Sequence, residues 1–165
     1  MISFKNAVYS TLFFCLLLSS SCLEKSEENQ NELAEQKLEL MAVDRAFSAM
    51  SLKEGMKAAF VDYLDSNGVL LRPANLPIIG ANAIDYLIQQ NDATYTLTWN
   101  PVHAEVSASG ELGYTYGEYA MQFKSENNPT FYDTVIYGTY TSVWKKQQDK
   151  KWKLMLHTAN EGLGE

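Results

Sequence analysis

Apolar side chains recur with helical spacing over the first part of the folded region. Leu33, Leu40, Val43, Phe47 and Met50 fall on one stripe of a helix over about residues 32 to 50. Ser51 followed by Glu54 reads as a capping box, which predicts a second helix with Met56, Phe60, Tyr63 and Leu64 on one face and Gly68 as its stop. A short strand from Val69 to Arg72 comes next, and Pro73 and Pro77 break the chain behind it. Ala81 to Gln90 reads as a third helix with Ile84, Leu87 and Ile88 inward.

From Thr94 onward the chain turns to β-branched and aromatic residues punctuated by turns, giving four strands at about 94–107, 112–124, 131–146 and 151–159. Their separators are Ser109-Gly110, the polar stretch Ser125 to Pro129, and Gln147 to Lys150. These are hairpin-length links, so the four strands should form a sequential antiparallel meander. Helices first and a meander last is an α+β plan.

Strand phase then predicts an inner face. Pairing Trp144 opposite Trp152 puts Tyr140, Ser142 and Trp144 on one face with Trp152, Leu154, Leu156 and Thr158. Gly113, Thr115, Gly117, Tyr119 and Met121 form the inward alternation of the preceding strand, while Glu111, Glu118 and His157 fall on the opposite phase. Val102, Ala104 and Val106 should face the core and leave His103 and Glu105 in solvent. Trp99 joins the inner face if Pro101 marks a bulge.

The N-terminus reads as an address. Lys5, an apolar run from Ala7 to Leu18 and the small residues Ser19-Ser20-Ser21 before Cys22 have the form of a signal peptide over residues 1–21, too short to span a bilayer as a helix. Small residues directly before a cysteine resemble a bacterial lipobox. That resemblance implies lipidation of Cys22 and an exported protein anchored to a bacterial membrane, on its periplasmic or cell-surface face. Residues 22–31, rich in Glu and without an aromatic, read as an acidic tether.

Composition narrows the function. The 165 residues, 46% hydrophobic and 12% aromatic, suffice for one domain with a core. A net charge of −7, which becomes −8 on loss of Lys5 with the signal peptide, argues against nucleic acid and against electrostatic attraction to anionic lipid. Cys15 and Cys22 are the only cysteines, so no disulfide framework or thiolate metal site is available downstream. His103 and His157 have no ligand pair beside them, and no phosphate-binding or dinucleotide glycine pattern occurs. Neither a metal nor another cofactor is expected.

The succession Phe47, Ala59-Phe60, Tyr63-Leu64, Gly68-Val69, Pro77 to Gly80, Trp99-Asn100-Pro101, Ser109 to Gly117, Gly138-Thr139-Tyr140, Val143-Trp144 and Trp152-Lys153-Leu154 resembles the domain of unknown function 4440 group. That group belongs to the SnoaL-like branch of the nuclear transport factor 2-like superfamily. The resemblance implies a cone over residues 32–160, with helices covering the concave face of a bent sheet and a pocket at the wide end. The superfamily holds ketosteroid isomerases, dehydratases and cyclases beside proteins that only bind or dimerise, so fold does not give function. Relatives often pair through the outer sheet face. Here that face would carry Tyr137, Thr139, Thr141, Val143 and Met155, and a homodimer is expected.

On the inward phase the pocket would be aromatic, with Thr115, Tyr119, Tyr140 and Trp144 from that phase and Arg72 from the end of the first strand as candidate ligand-binding residues, suited to a small apolar or aromatic molecule. An enzyme of the isomerase or lyase kind, acting on a small carbonyl compound, needs a carboxylate base in that pocket. The inward phase offers none. Asp44, on the first helix, is the remaining catalytic candidate, either clustered with Arg72 at the pocket mouth or lying on the helix surface beside Arg45. The expected function is therefore an exported lipoprotein that binds a small molecule or serves as a dimeric scaffold, with a ketosteroid-isomerase-like or dehydratase-like enzyme as the alternative.

Overall fold

The first helix, α1, runs through residues 30–54 without the break expected at Ser51. Leu40, Asp44, Phe47, Ser48 and Ser51 are its buried positions, at spacings that keep them on one face. Ser51 does not cap a helix, because its hydroxyl donates to the Leu97 carbonyl at 2.7 Å. The break falls at Gly55, whose φ of 94° suits a residue without Cβ. Helix α2, Met56–Tyr63, starts there. Gly55 has no side chain to cap it, and Asp92 does so from a distant turn, its Oδ2 accepting the Lys57 N–H at 2.9 Å.

The computed structural model describes residues 30–125 and 132–162. The chain divides into two compact units, residues 1–35 and 36–165, and the second carries the architecture that follows. The expected signal peptide and Cys22 lie outside the described residues, and so does the tether up to residue 29. Among the described residues no helix is long and apolar enough to cross a membrane.

Strand β1, Leu64–Leu71, begins where a helix end was expected. The polar run Asp65 to Gly68 forms an irregularity inside this strand, with the Asn67 N–H bound to Asp65 Oδ1 at 2.9 Å. The short β2, Ile78–Ile79, pairs antiparallel with β1. Helix α3, Ala81–Ile88, buries Ala83 and Leu87, which stand one turn apart, and leaves Ile88 exposed rather than inward. A 3-10 turn, Asp92–Thr94, leads into β3 (Tyr95–Val106), β4 (Leu112–Lys124), β5 (Tyr132–Lys146) and β6 (Trp152–Glu161).

These last four strands form the expected sequential antiparallel meander, in a curved, open six-stranded sheet of order β2-β1-β6-β5-β4-β3. The unexpected member is β1, which lies parallel to β6 with Val69 opposite Leu156 and Leu70 opposite His157.

Two bulges set which residues face inward. In β3 the register shifts between Pro101 and His103, as the sequence suggested. Val102 is the extra residue and is 58% exposed, whereas Ala104 and Val106 are buried. The second bulge lies between β5 and β6 and corrects the expected pairing. Trp144 stands opposite Leu154, Val143 opposite Leu156, and Trp152 opposite Lys146. Met155 is therefore unpaired, and the phase of β6 reverses beyond it. Trp152 and Leu154 face inward as expected, but His157 replaces Leu156 and Thr158 as the buried residue further along.

Phe47 organises the core, with ring centroids 4.8 Å from Phe60, 4.7 Å from Tyr63, 4.5 Å from Trp99 and 5.9 Å from Trp144. Gly113 lets α1 approach the sheet, since a Cβ there would lie 2.6 Å from Leu40 Cδ2.

Candidate functional site

A cavity of about 600 Å³ opens where α2, α3 and the end of β1 face the inner surface of the sheet. Strand alternation supplies most of its wall. Beyond the Pro101 bulge, β3 turns Tyr95, Leu97 and Trp99 inward, β4 adds Tyr119 and Met121, and β5 adds Tyr140. Beyond the Met155 bulge, β6 turns His157, Ala159 and Glu161 to the same space. Met56, Phe60, Tyr86 and Leu87 cover it from the helices, and Arg72 enters from the end of β1.

Arg72 is the cation of this wall. Its Nη1 donates to the carbonyls of Leu71 at 3.0 Å and His157 at 3.3 Å, and the guanidinium lies over the Phe60 ring at 5.8 Å. Burial lowers its pKa, and the Tyr86 and Tyr95 phenols partly offset that. Among the described residues no carboxylate forms an ion pair with it.

His157 sits behind this arginine. Its Nδ1 is 3.0 Å from the Ser142 hydroxyl, and its ring stacks on Tyr140 at 6.0 Å. Burial above all, and the Arg72 charge after it, hold its pKa well below the usual range. It is a neutral imidazole near pH 7.

Asp44 is fully buried, neither on a solvated helix surface nor clustered with Arg72. It sits one turn from both Leu40 and Phe47, on the stripe α1 turns to the core. Its Oδ1 accepts the Trp99 indole N–H at 2.7 Å and its Oδ2 the Tyr140 hydroxyl at 2.7 Å. Burial raises its pKa, while the Thr115, Tyr140 and Trp99 side chains favour the ionised form without cancelling that rise. Burial and the Asp44 charge push the Tyr140 phenol far above its usual pKa, so it stays a donor. Asp44 does not itself line the cavity. Trp99 and Tyr140 do, and they stand between.

No protein-family model matches the sequence, and no curated protein matches it. Solved structures do. A ketosteroid isomerase-like protein from Erwinia carotovora atroseptica superposes with a TM-score of 0.57 at 12% identity, over 73% of this chain and 95% of the other. The association domain of CaMKII from C. elegans gives 0.60 at 16% identity, over 79% and 98%. A cystatin-fold nuclear transport factor 2-like protein from Novosphingobium aromaticivorans gives 0.62 at 8% identity, over 86% and 89%. The fold is nuclear transport factor 2-like. At these identities the likeness carries the fold and nothing of the chemistry.

Within this nuclear transport factor 2-like cone, the expected lining residues separate into two groups. Arg72, Tyr119 and Tyr140 line the cavity. Thr115 and Trp144 do not, being fully buried and bonded to each other, Trp144 Nε1 to Thr115 Oγ1 at 2.8 Å. The reason is α1, whose Leu40 and Phe47 fill that half of the cone. His103 and Glu105 lie on the outer side as expected, 3.2 Å apart, with Lys37 on Glu105 at 2.8 Å. Sequence reasoning missed His157, hidden by the unforeseen Met155 bulge, and missed Tyr86 and Tyr95. A signal existed for Asp44, since Leu40, Asp44, Phe47 and Ser51 share the helical period of a buried stripe.

Proposed function

We propose that this domain binds one small, largely apolar molecule in the cavity of the cone, as part of an exported lipoprotein anchored through Cys22. The single observation that carries the binding reading is the cavity. Protein interiors leave few voids larger than a water molecule, yet this space of about 600 Å³ has the size of a small-molecule site. Rings and thioethers make most of its wall, with Arg72, Gln90, Asn160 and Glu161 as polar side chains beside the tyrosines and His157. Finer placement in the SnoaL-like, domain of unknown function 4440 branch, and the lipid anchor, rest on the sequence motifs.

The isomerase-like or dehydratase-like alternative stands second. It needs a carboxylate that reaches a reacting carbon, and Asp44 is screened by Trp99 and Tyr140, whose polar atoms it already occupies. Binding is tested with N-phenyl-1-naphthylamine, a neutral probe whose fluorescence rises in apolar surroundings. Saturable enhancement with the wild type and its loss in the cavity-filling Met121→Trp variant are expected. Enhancement unchanged by Met121→Trp would refute the cavity as the site.

A scaffold role fits a second observation. The outer sheet face exposes Leu112, Tyr114, Tyr116, Val135 and Tyr137, a substantially apolar surface. One structural neighbour is by its name an association domain. We infer that two copies of this chain pair there. Light scattering should give a dimer mass for the wild type and a monomer mass for Tyr137→Lys, and a monomeric wild type at micromolar concentration would refute the pairing.

A further inference from the structure

We propose that the ligand of this cavity is a small monocarboxylic acid, its apolar body against the aromatic wall and its carboxylate on the Arg72 guanidinium. This rests on the cavity being a binding site and adds the chemical class of the ligand.

The placement of Arg72 carries the inference. A guanidinium has five N–H donors in a planar fork. Here Nη1 alone is engaged, by the Leu71 and His157 carbonyls, which fixes the orientation of the fork. Nε and Nη2 make no hydrogen bond among the described residues, and the side chain borders the cavity. A half-buried guanidinium with no paired carboxylate among the described residues, aligned this way, presents a ready bidentate seat for an anion. Burial lowers its pKa, and a bound anion would oppose that shift.

The wall also limits the anion to one charge. Among the described residues Arg72 is the only Lys or Arg side chain lining the cavity, and His157 beside it is neutral. Glu161 at the rim opposes further negative charge. A doubly charged phosphate monoester would leave one charge uncompensated, whereas a carboxylate matches the single guanidinium. Tyr86 and Tyr95 line the same cavity, and their hydroxyls can donate to the second carboxylate oxygen.

Two probes of nearly the same shape separate charge from fit: 1-naphthaleneacetate and the neutral 1-naphthaleneacetamide. Both are titrated calorimetrically into the full chain, with N-phenyl-1-naphthylamine binding followed in parallel. The wild type should bind the acetate about tenfold or more tightly than the amide, the margin of a charge-assisted hydrogen-bonded pair. Arg72→Gln should bind the two alike and still admit N-phenyl-1-naphthylamine, and Arg72→Lys should retain part of the preference. Equal affinity in the wild type, or no binding of the acetate, with N-phenyl-1-naphthylamine still entering, overturns the carboxylate proposal and leaves the cavity reading intact. Silence of all three probes overturns both. If Arg72→Gln does not fold, the wild-type comparison and Arg72→Lys decide, and a preference unchanged in Arg72→Lys and in any folded Arg72→Gln protein would place the anion elsewhere.

Discussion

Replacing Tyr140 by phenylalanine deletes one oxygen from the wall between cavity and core, and its effect should depend on pH. The hydroxyl donates to Asp44 Oδ2 at 2.7 Å, and both residues are buried, so water does not replace the lost donor. A hydrogen bond to a neutral partner is worth about 1 kcal/mol, and one to a charged partner roughly 1.5–3 kcal/mol. The cost therefore follows the protonation of Asp44. Burial raises the folded-state pKa of this carboxyl above 3.8, and the Tyr140 hydroxyl opposes that rise by favouring the ionised form. A group with a raised folded pKa contributes stability that is fully present below its unfolded value and is lost as pH climbs through the folded one. Removing the hydroxyl raises the folded pKa further, so the loss extends to higher pH in the variant than in the wild type. Urea denaturation at about pH 4 and at about pH 7.5 should thus show a gap near 1 kcal/mol at the acid end that widens toward roughly 1.5–3 kcal/mol. A gap that does not change with pH, or one under about 0.5 kcal/mol at both ends, would refute the charged pairing.

Asp44→Asn keeps the shape of the side chain and removes its titration, so thermal melts should show a flatter dependence of stability on pH above about 4 than the wild type. An unchanged slope would mean that Asp44 is not the group responsible. Gly117→Ala places a Cβ 2.1 Å from the Asn100 carbonyl oxygen, which backbone cannot easily yield. A loss of about 1–3 kcal/mol is expected in urea, and an unshifted midpoint would contradict the close approach of β3 and β4.

The plan of the fold was legible because hydrophobic period and turn chemistry agreed along most of the chain. Alternation from Thr94 onward located the meander, and Pro101 interrupting that alternation in what is the edge strand β3 announced its bulge. A strand was expected from Val69 to Arg72, but its start at Leu64 and its parallel pairing with β6 were not legible, since Asp65-Ser66-Asn67-Gly68 carries every mark of a turn and instead sits as an irregularity inside β1. Gly55 outweighed the Ser51 capping pattern because the Ser51 hydroxyl found a tertiary acceptor at Leu97. Among the site residues, Tyr119 and Tyr140 followed from strand phase, and Arg72 from its place at the end of the first strand. His157 could not, because Met155 sits among apolar residues and nothing local says that it, rather than a neighbour, is left unpaired.

The two halves of the cone interior obey different rules, and Asp44 marks the boundary. On the α1 side, Leu40, Phe47, Trp144 and Leu154 are fully buried, and the polar atoms of Thr115 and Trp144 satisfy each other. Substitutions there act through packing. On the other side, Arg72, Tyr95, Tyr119 and His157 face open volume. Trp99 and Tyr140 belong to both halves, each with a ring on the cavity and a donor on Asp44. A carboxylate that grips two wall rings from behind fixes their orientation without entering the site. Asp44 thus holds the orientation of the cavity wall, which accounts for a buried acid that does not itself reach the cavity.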